Sequence, residues 1–227
     1  MIPAPGQLER IGHRGAPRER LENTLPGFLL AVERGADAVE LDAHATRDGV
    51  VVVHHDEAVN ERPIADVEWA DLMNIDLGGG ARVPRLADVL SALGERASVY
   101  VELKGRNVEN AVIAVIRAHG TRFALHSFDH DAMVRVAGLA PDIARGVLFD
   151  RGTPKPLEAL RRACDRIGPR DVWPHWSLVS EKFVRAAHGL NTRVIAWTVN
   201  SATTAQALAL REVDGICSDD VRILAIL

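Results

Sequence analysis

From residue 97 onward the chain repeats one rhythm: a short apolar, β-branched run, a polar turn, then an amphipathic stretch of helical length. Strands are expected at 98–103, 122–127, 143–149, 171–173, 193–198 and 215–218, with helices at 108–119, 129–137, 156–166, 180–188 and 201–210. The first third follows the same beat, with strands at 9–13 and 36–43 and helices at 25–34 and 86–93. Short strands joined by helix-length connections pair in parallel. About eight such units in 227 residues leave room for one round, so the expected fold is α/β, a (β/α)8 TIM barrel, as a single domain over 1–227. A doubly wound open sheet is the alternative, although no G-x-G-x-x-G opens any of the helices.

Local signals agree with this parse. Asn23 or Thr24, Asp129 and Ser180 stand where helix N-caps are needed, and Pro26 and Pro156 fall in first turns. Gly35, Gly94, Gly120 and Gly189 stop helices. One region breaks the rhythm. After a turn at Asp48-Gly49, a β-branched strand is expected over 50–55. A loop-rich insertion then follows at about 57–84, with Gly78-Gly79-Gly80 and a helical turn or two over 70–75. The apolar end, 221–227, is expected to pack on the body as a last helix.

Composition excludes several classes. Hydrophobic residues at 47% with 26% charged describe a soluble globular chain. A net charge of −4 gives no basic footprint, so no nucleic-acid partner is expected. No apolar run approaches the ~18 residues of a membrane span, and the first ten residues lack a secretory leader's basic and apolar regions. Two cysteines, Cys164 and Cys217, make no disulfide framework, and a reduced, cytoplasmic setting is the simpler reading. Nothing in the sequence sets the oligomeric state.

The chemistry gathers at strand ends. Glu40 and Asp42, two apart in one strand, point to the same face, and adjacent carboxylates repel unless a cation or proton lies between them. In a barrel the functional groups sit at the C-terminal ends of the strands. Those ends carry His13-Arg14, Glu40-Leu41-Asp42, His55-Asp56, Glu102-Leu103-Lys104, His126-Ser127-Phe128 and Trp197-Thr198-Val199-Asn200. Glu40, Asp42 and Glu102 would form an oxygen-rich cage suited to Mg²⁺ or Ca²⁺. His13 and His55 suit acid–base work near neutral pH, and Arg14 and Lys104 offer cations to a phosphate. Such a set fits cleavage of a phosphodiester.

In this order the residues resemble the glycerophosphodiester phosphodiesterase family, a set of metal-dependent (β/α)8 barrels. The likeness runs through His13-Arg14-Gly15, Glu22-Asn23-Thr24, Val39-Glu40-Leu41-Asp42, Thr46-x-Asp48-Gly49, His55-Asp56, Glu102-Leu103-Lys104, Ser127-Phe128, Trp197-Thr198-Val199-Asn200, Val213-Asp214-Gly215-Ile216 and Asp219. The resemblance implies one divalent metal on Glu40, Asp42 and Glu102, and acid–base histidines at His13 and His55. It places Arg14 and Lys104 on the phosphate, with Glu22 and Trp197 lining the pocket. The implied substrate is a small glycerophosphodiester, cleaved to sn-glycerol 3-phosphate and an alcohol. Two departures bear on the substrate. Leu21 stands where relatives usually carry Pro, and Arg62-Pro63-Ile64-Ala65-Asp66 replaces their Arg-Thr-Thr-x-Gly, so the insertion that usually binds glycerol looks short.

Alternatives remain at this level. A lysophospholipase D-like enzyme of the same superfamily and a non-catalytic sugar-phosphate-binding barrel both fit much of the pattern. Lys104 has an alternative role as a Schiff-base lysine. His44 shares the Glu40/Asp42 face and reads equally as a support for the metal ligands or as structure. His126 reads equally as a pocket group or as packing, while His54, on the opposite parity to His55, reads as structural.

Overall fold

The computed structural model describes residues 8–120 and 122–227; the stretch 1–7, part of the segment read above for a leader, lies outside them. The chain opens with β1 (Glu9–His13), α1 (Leu25–Glu33), β2 (Ala38–Ala45) and β3 (Val51–Val53). The insertion follows with β4 (Ala58–Val59), β5 (Arg62–Pro63) and α2 (Trp69–Leu72), then α3 (Leu86–Leu93). Regular units complete the chain: β6 (Ser98–Leu103), α4 (Glu109–Arg117), β7 (Phe123–Ser127), α5 (His130–Leu139), β8 (Arg145–Phe149) and α6 (Pro156–Ile167). After them come β9 (Asp171–Pro174), α7 (Glu181–His188), β10 (Arg193–Ala196), α8 (Ala202–Ala209), β11 (Gly215–Ser218) and α9 (Val221–Leu224). The helix starts carry their caps: the side chains of Thr24, Asp129, Ser180, Ser201 and Asp220 each accept a backbone N–H of the first turn.

Strands β1, β2 and β6 to β11 pair in parallel, in the order β1-β11-β10-β9-β8-β7-β6-β2, and β1 pairs with β2 to close the ring. This is the expected eight-stranded barrel. Strand β3 is an antiparallel addition on β2. It is shorter than the expected 50–55 run, so His54 and His55 leave the strand at its end. The insertion is not structureless. Val59, Ile64, Val67, Leu72 and Val83 bury a small core against Val52 of β3, which a reading of its polar turns could not foresee.

Side-chain parity organises the interior. One buried residue from each barrel strand forms the inner apolar layer: Ile11, Ala38, Tyr100, Ala124, Leu148, Trp173, Ile195 and Cys217. The odd neighbours, such as Val39, Leu41, Val99 and Val101, face outward into the larger core beneath the helices. Two residues further along each strand the same inward parity reaches His13, Glu40, Glu102, His126, Asp150, His175, Trp197 and Asp219. The polar end of the barrel is thus one step above a complete apolar layer.

Two residues in the other direction lies a polar plug. Arg193 Nη2 is 2.6 Å from Glu9 Oε2 and its Nη1 is 3.2 Å from Asp171 Oδ1, while Tyr100 Oη donates to Glu9 at 2.6 Å. Glu9 and Asp171 are buried; Arg193 bridges them, and Arg170 also pairs with Asp171, its Nε 2.8 Å from Oδ2. Removing one partner of such a network strands the other charges in low dielectric. Arg193→Met is expected to cost about 3–5 kcal/mol of unfolding free energy, measurable as a lowered midpoint in chemical denaturation.

Candidate active site

The turn after β1 must pass close to α1. A Cβ on Gly12 would lie 2.5 Å from the Gly15 carbonyl oxygen, and one on Gly15 (φ +89°) would lie 2.7 Å from the Gly27 backbone. Glycine is required at both places, and the tight turn presents His13 and Arg14 at the barrel mouth. Asn23, also in the left-handed region at φ 54°, donates Nδ2 to Asp42 Oδ2 at 2.8 Å and ties this loop to β2.

Glu40, Asp42 and Glu102 are buried, and each offers a carboxylate oxygen within 4.8 Å of the others. Three carboxylates this close need positive charge. Lys104 Nζ provides some, 2.8 Å from Glu102 Oε1 and 3.3 Å from Asp42 Oδ1. Arg14 Nε is 3.2 Å from Asp42 Oδ2, and the Arg14 backbone N–H donates to Glu40 Oε2 at 3.3 Å. The compensation is incomplete. Burial raises the Glu102 carboxyl to about 7, opposed by Lys104 and reinforced by Asp42 and Glu40. Asp42 is held below the usual carboxylate range because Lys104 and Arg14 outweigh its burial. Its Oδ1 is buried and faces the Lys104 ammonium at 3.3 Å. An all-oxygen donor set of three buried carboxylates, short of positive charge, fits a hard divalent cation.

Two imidazoles flank the seat, each steered by a carboxylate. His13 Nδ1 donates to Asp219 Oδ1 at 2.6 Å, leaving Nε2 to face Glu40 Oε2 at 3.8 Å. Burial alone would lower its pKa, but Asp219 and Glu40 more than reverse this, so His13 is raised. Asp219 is itself held by Asn200, whose Nδ2 donates to Oδ2 at 2.6 Å. His55 Nδ1 lies 2.8 Å from Asp56 Oδ1. His44, buried on β2, has Nε2 3.3 Å from the His55 carbonyl oxygen, and so touches the site through the backbone of that residue.

A cavity of about 170 Å³ joins these groups. Its walls include His13, Arg14, Glu40, His55, Glu102 and Lys104 on one side, with Phe128, Leu148, Trp173 and Trp197 on the other. Trp197 donates Nε1 to the Trp173 carbonyl at 2.8 Å and stacks edge-on with Phe128. Seven of the nine residues expected at the site thus line one cavity, and an eighth, Asp42, joins them through the carboxylate seat. The ninth, Glu22, is not among its walls but stands one contact behind them, with Oε1 3.0 Å from Nη1 of Arg14. Sequence reasoning gave no role to the Asp219–Asn200 pair, although both fall in family-like motifs, and left His126 undecided. His126 lines the cavity wall. Cys217 is fully buried beneath the site and its thiol is pushed well up, as for a packing residue.

The Glycerophosphoryl diester phosphodiesterase family profile matches residues 13–223. A glycerophosphodiester phosphodiesterase of Caldanaerobacter subterraneus subsp. tengcongensis is 29% identical over 230 aligned positions, covering 92% of this chain and 93% of that protein. A human lysophospholipase D is 44% identical over 117 positions, 44% of this chain and 37% of its own length. Among solved structures, an Oleispira antarctica phosphodiesterase in complex with the product sn-glycerol-3-phosphate superposes with a TM-score of 0.86 at 25% identity, covering 96% of both chains.

Proposed function

The chain belongs to the glycerophosphoryl diester phosphodiesterase family, and from that premise we propose that it hydrolyses glycerophosphodiesters to sn-glycerol 3-phosphate and a free alcohol, with His13 and His55 as its acid–base pair. It is a phosphoric diester hydrolase by membership; the observation that carries the finer reading is the buried Glu40–Asp42–Glu102 seat between those two imidazoles.

These carboxylates would hold one divalent ion, Mg²⁺ or Ca²⁺, whose chemistry is to neutralise charge on the non-bridging phosphate oxygens. Arg14 and Lys104 reach the same space and add fixed positive charge there. One imidazole accepts the proton of the attacking hydroxyl, from water or from the glycerol 2-hydroxyl. The other donates a proton to the departing alkoxide as its P–O bond breaks. Asp219 and Asp56 hold the two rings so that Nε2 of each is the working nitrogen. Trp197 and Phe128 support the apolar wall of the pocket. We read residues 1–227 as one catalytic domain, working in the cytoplasm, as suits two cysteines that form no disulfide. No helix among the described residues is long and apolar enough to cross a membrane.

A second reading, a lysophospholipase D, is favoured by the partial identity to the human enzyme and by the apolar half of the mouth. A substrate panel decides, with Mg²⁺ or Ca²⁺: release of sn-glycerol 3-phosphate is read on several glycerophosphodiesters, and release of free choline on lysophosphatidylcholine. Turnover of the glycerophosphodiesters is expected, and chelation with EDTA is expected to abolish it until metal is restored. Turnover of the lysolipid alone would reverse the order. Tight binding of a glycerophosphodiester without cleavage would mean a sugar-phosphate-binding barrel, and full activity in excess EDTA would remove the metal.

A further inference from the structure

His126 has no satisfied place in the protein as folded. Its ring is 1% exposed, and neither Nδ1 nor Nε2 has a hydrogen-bond partner among the described residues. Nε2 stands 3.5 Å from Glu40 Oε1 without the alignment of a hydrogen bond. The ring is fixed by its neighbours: Trp173 meets it edge-on at 4.4 Å between centroids, and Tyr100 lies 6.2 Å away. A buried imidazole left unpaired is costly, and native proteins rarely tolerate one without a partner that arrives.

The place of His126 says what that partner is. Its strand, β7, separates two unlike walls of the cavity. On one side β1, β2 and β6 bring His13, Glu40, Glu102 and Lys104, the groups suited to phosphate and metal. On the other, β8 to β10 bring Leu148, Trp173 and Trp197, which offer apolar faces. A group lying on that second wall beside the phosphate is a carbon skeleton, and where it passes His126 it meets a donor and an acceptor.

We propose that His126 is a specificity-determining residue, whose ring hydrogen-bonds a hydroxyl of the polyol esterified to the phosphate while the carbon chain of that polyol rests on the Leu148–Trp173–Trp197 wall. This deepens the reading above and rests on it. The competing role is that His126 merely steadies Glu40 as a metal ligand.

The test is binding to the metal-loaded protein by calorimetry, with sn-glycerol 3-phosphate and with propyl phosphate, which lacks its hydroxyls. The wild type is expected to prefer the glycerol ester. His126→Leu is expected to weaken glycerol phosphate about 10- to 100-fold, leaving propyl phosphate and metal affinity unchanged, and His126→Gln is expected to restore part of the preference. Should His126→Leu fail to fold, ¹⁵N spectra of imidazole-labelled wild type decide: the His126 nitrogens shift with glycerol phosphate and not with propyl phosphate. Equal affinity of the wild type for both esters, equal loss on both in the variant, a parallel fall in metal affinity, or identical ¹⁵N shifts would each overturn the proposal. These outcomes are distinct from failure of the function itself, in which the wild type binds neither ester and turns over no phosphodiester.

Discussion

Asp42→Asn is expected to lower kcat/KM on a glycerophosphodiester by at least about a thousandfold, with metal affinity falling in parallel. Asp42 is the most engaged member of the carboxylate seat. Lys104, Arg14 and Asn23 all touch it, and it stays charged despite its burial. The amide keeps the shape but removes the charge, so Lys104 and Arg14 lose their common counter-ion. Glu40→Gln should behave alike. Circular dichroism should show an unchanged fold at 25 °C, and titration calorimetry with Mg²⁺ or Ca²⁺ the weakened binding. Metal affinity equal to the wild type's would refute the assignment of Asp42 as a ligand.

The second large effect is expected at His13. His13→Asn should cost about 10²- to 10⁴-fold in kcat, the usual share of a positioned acid or base, with KM nearly unchanged. Asp219→Asn should lose less, because the imidazole is still present but its orientation and tautomer are no longer enforced. The order His13→Asn worse than Asp219→Asn, read from steady-state kinetics on one substrate, separates a catalytic imidazole from a structural one. A full-rate His13→Asn protein would assign the chemistry elsewhere.

The barrel was legible because each core strand is a short apolar run and each helix is signed at its start and stop. Thr24, Asp129 and Ser180 cap where their chemistry predicts. Glu40 and Asp42 were legible because strand parity is local: two residues apart means one face. Glu102 and Lys104 followed by the same rule, which is why the seat could be assembled on paper. What escaped was what only closure brings together. Nothing near His13 announces Asp219, 206 residues away in sequence. The isolation of His126 is likewise a property of the packed interior, not of its neighbours in the chain. Glu22 is a mixed case: its motif is local, but its contact with Arg14, which does line the cavity, is visible only in the folded loop. In the insertion the helical turn was legible and is present as α2, but the apolar residues are scattered among turns, and only folding gathers them into a core.

The seam of the ring, where β1 lies against β11, has a consequence for the chain's life on the ribosome. The first barrel strand supplies His13 and Asp219 directly follows the eighth, so the imidazole waits for this carboxylate until all eight strands have been made. Earlier strands can collapse together as they appear, but the His13–Asp219 pair proposed for acid–base work forms only when the ring closes. On the proposed roles, activity therefore reports ring closure: a chain halted before β11 can bury much of its apolar surface and still lack the Asp219 contact to His13.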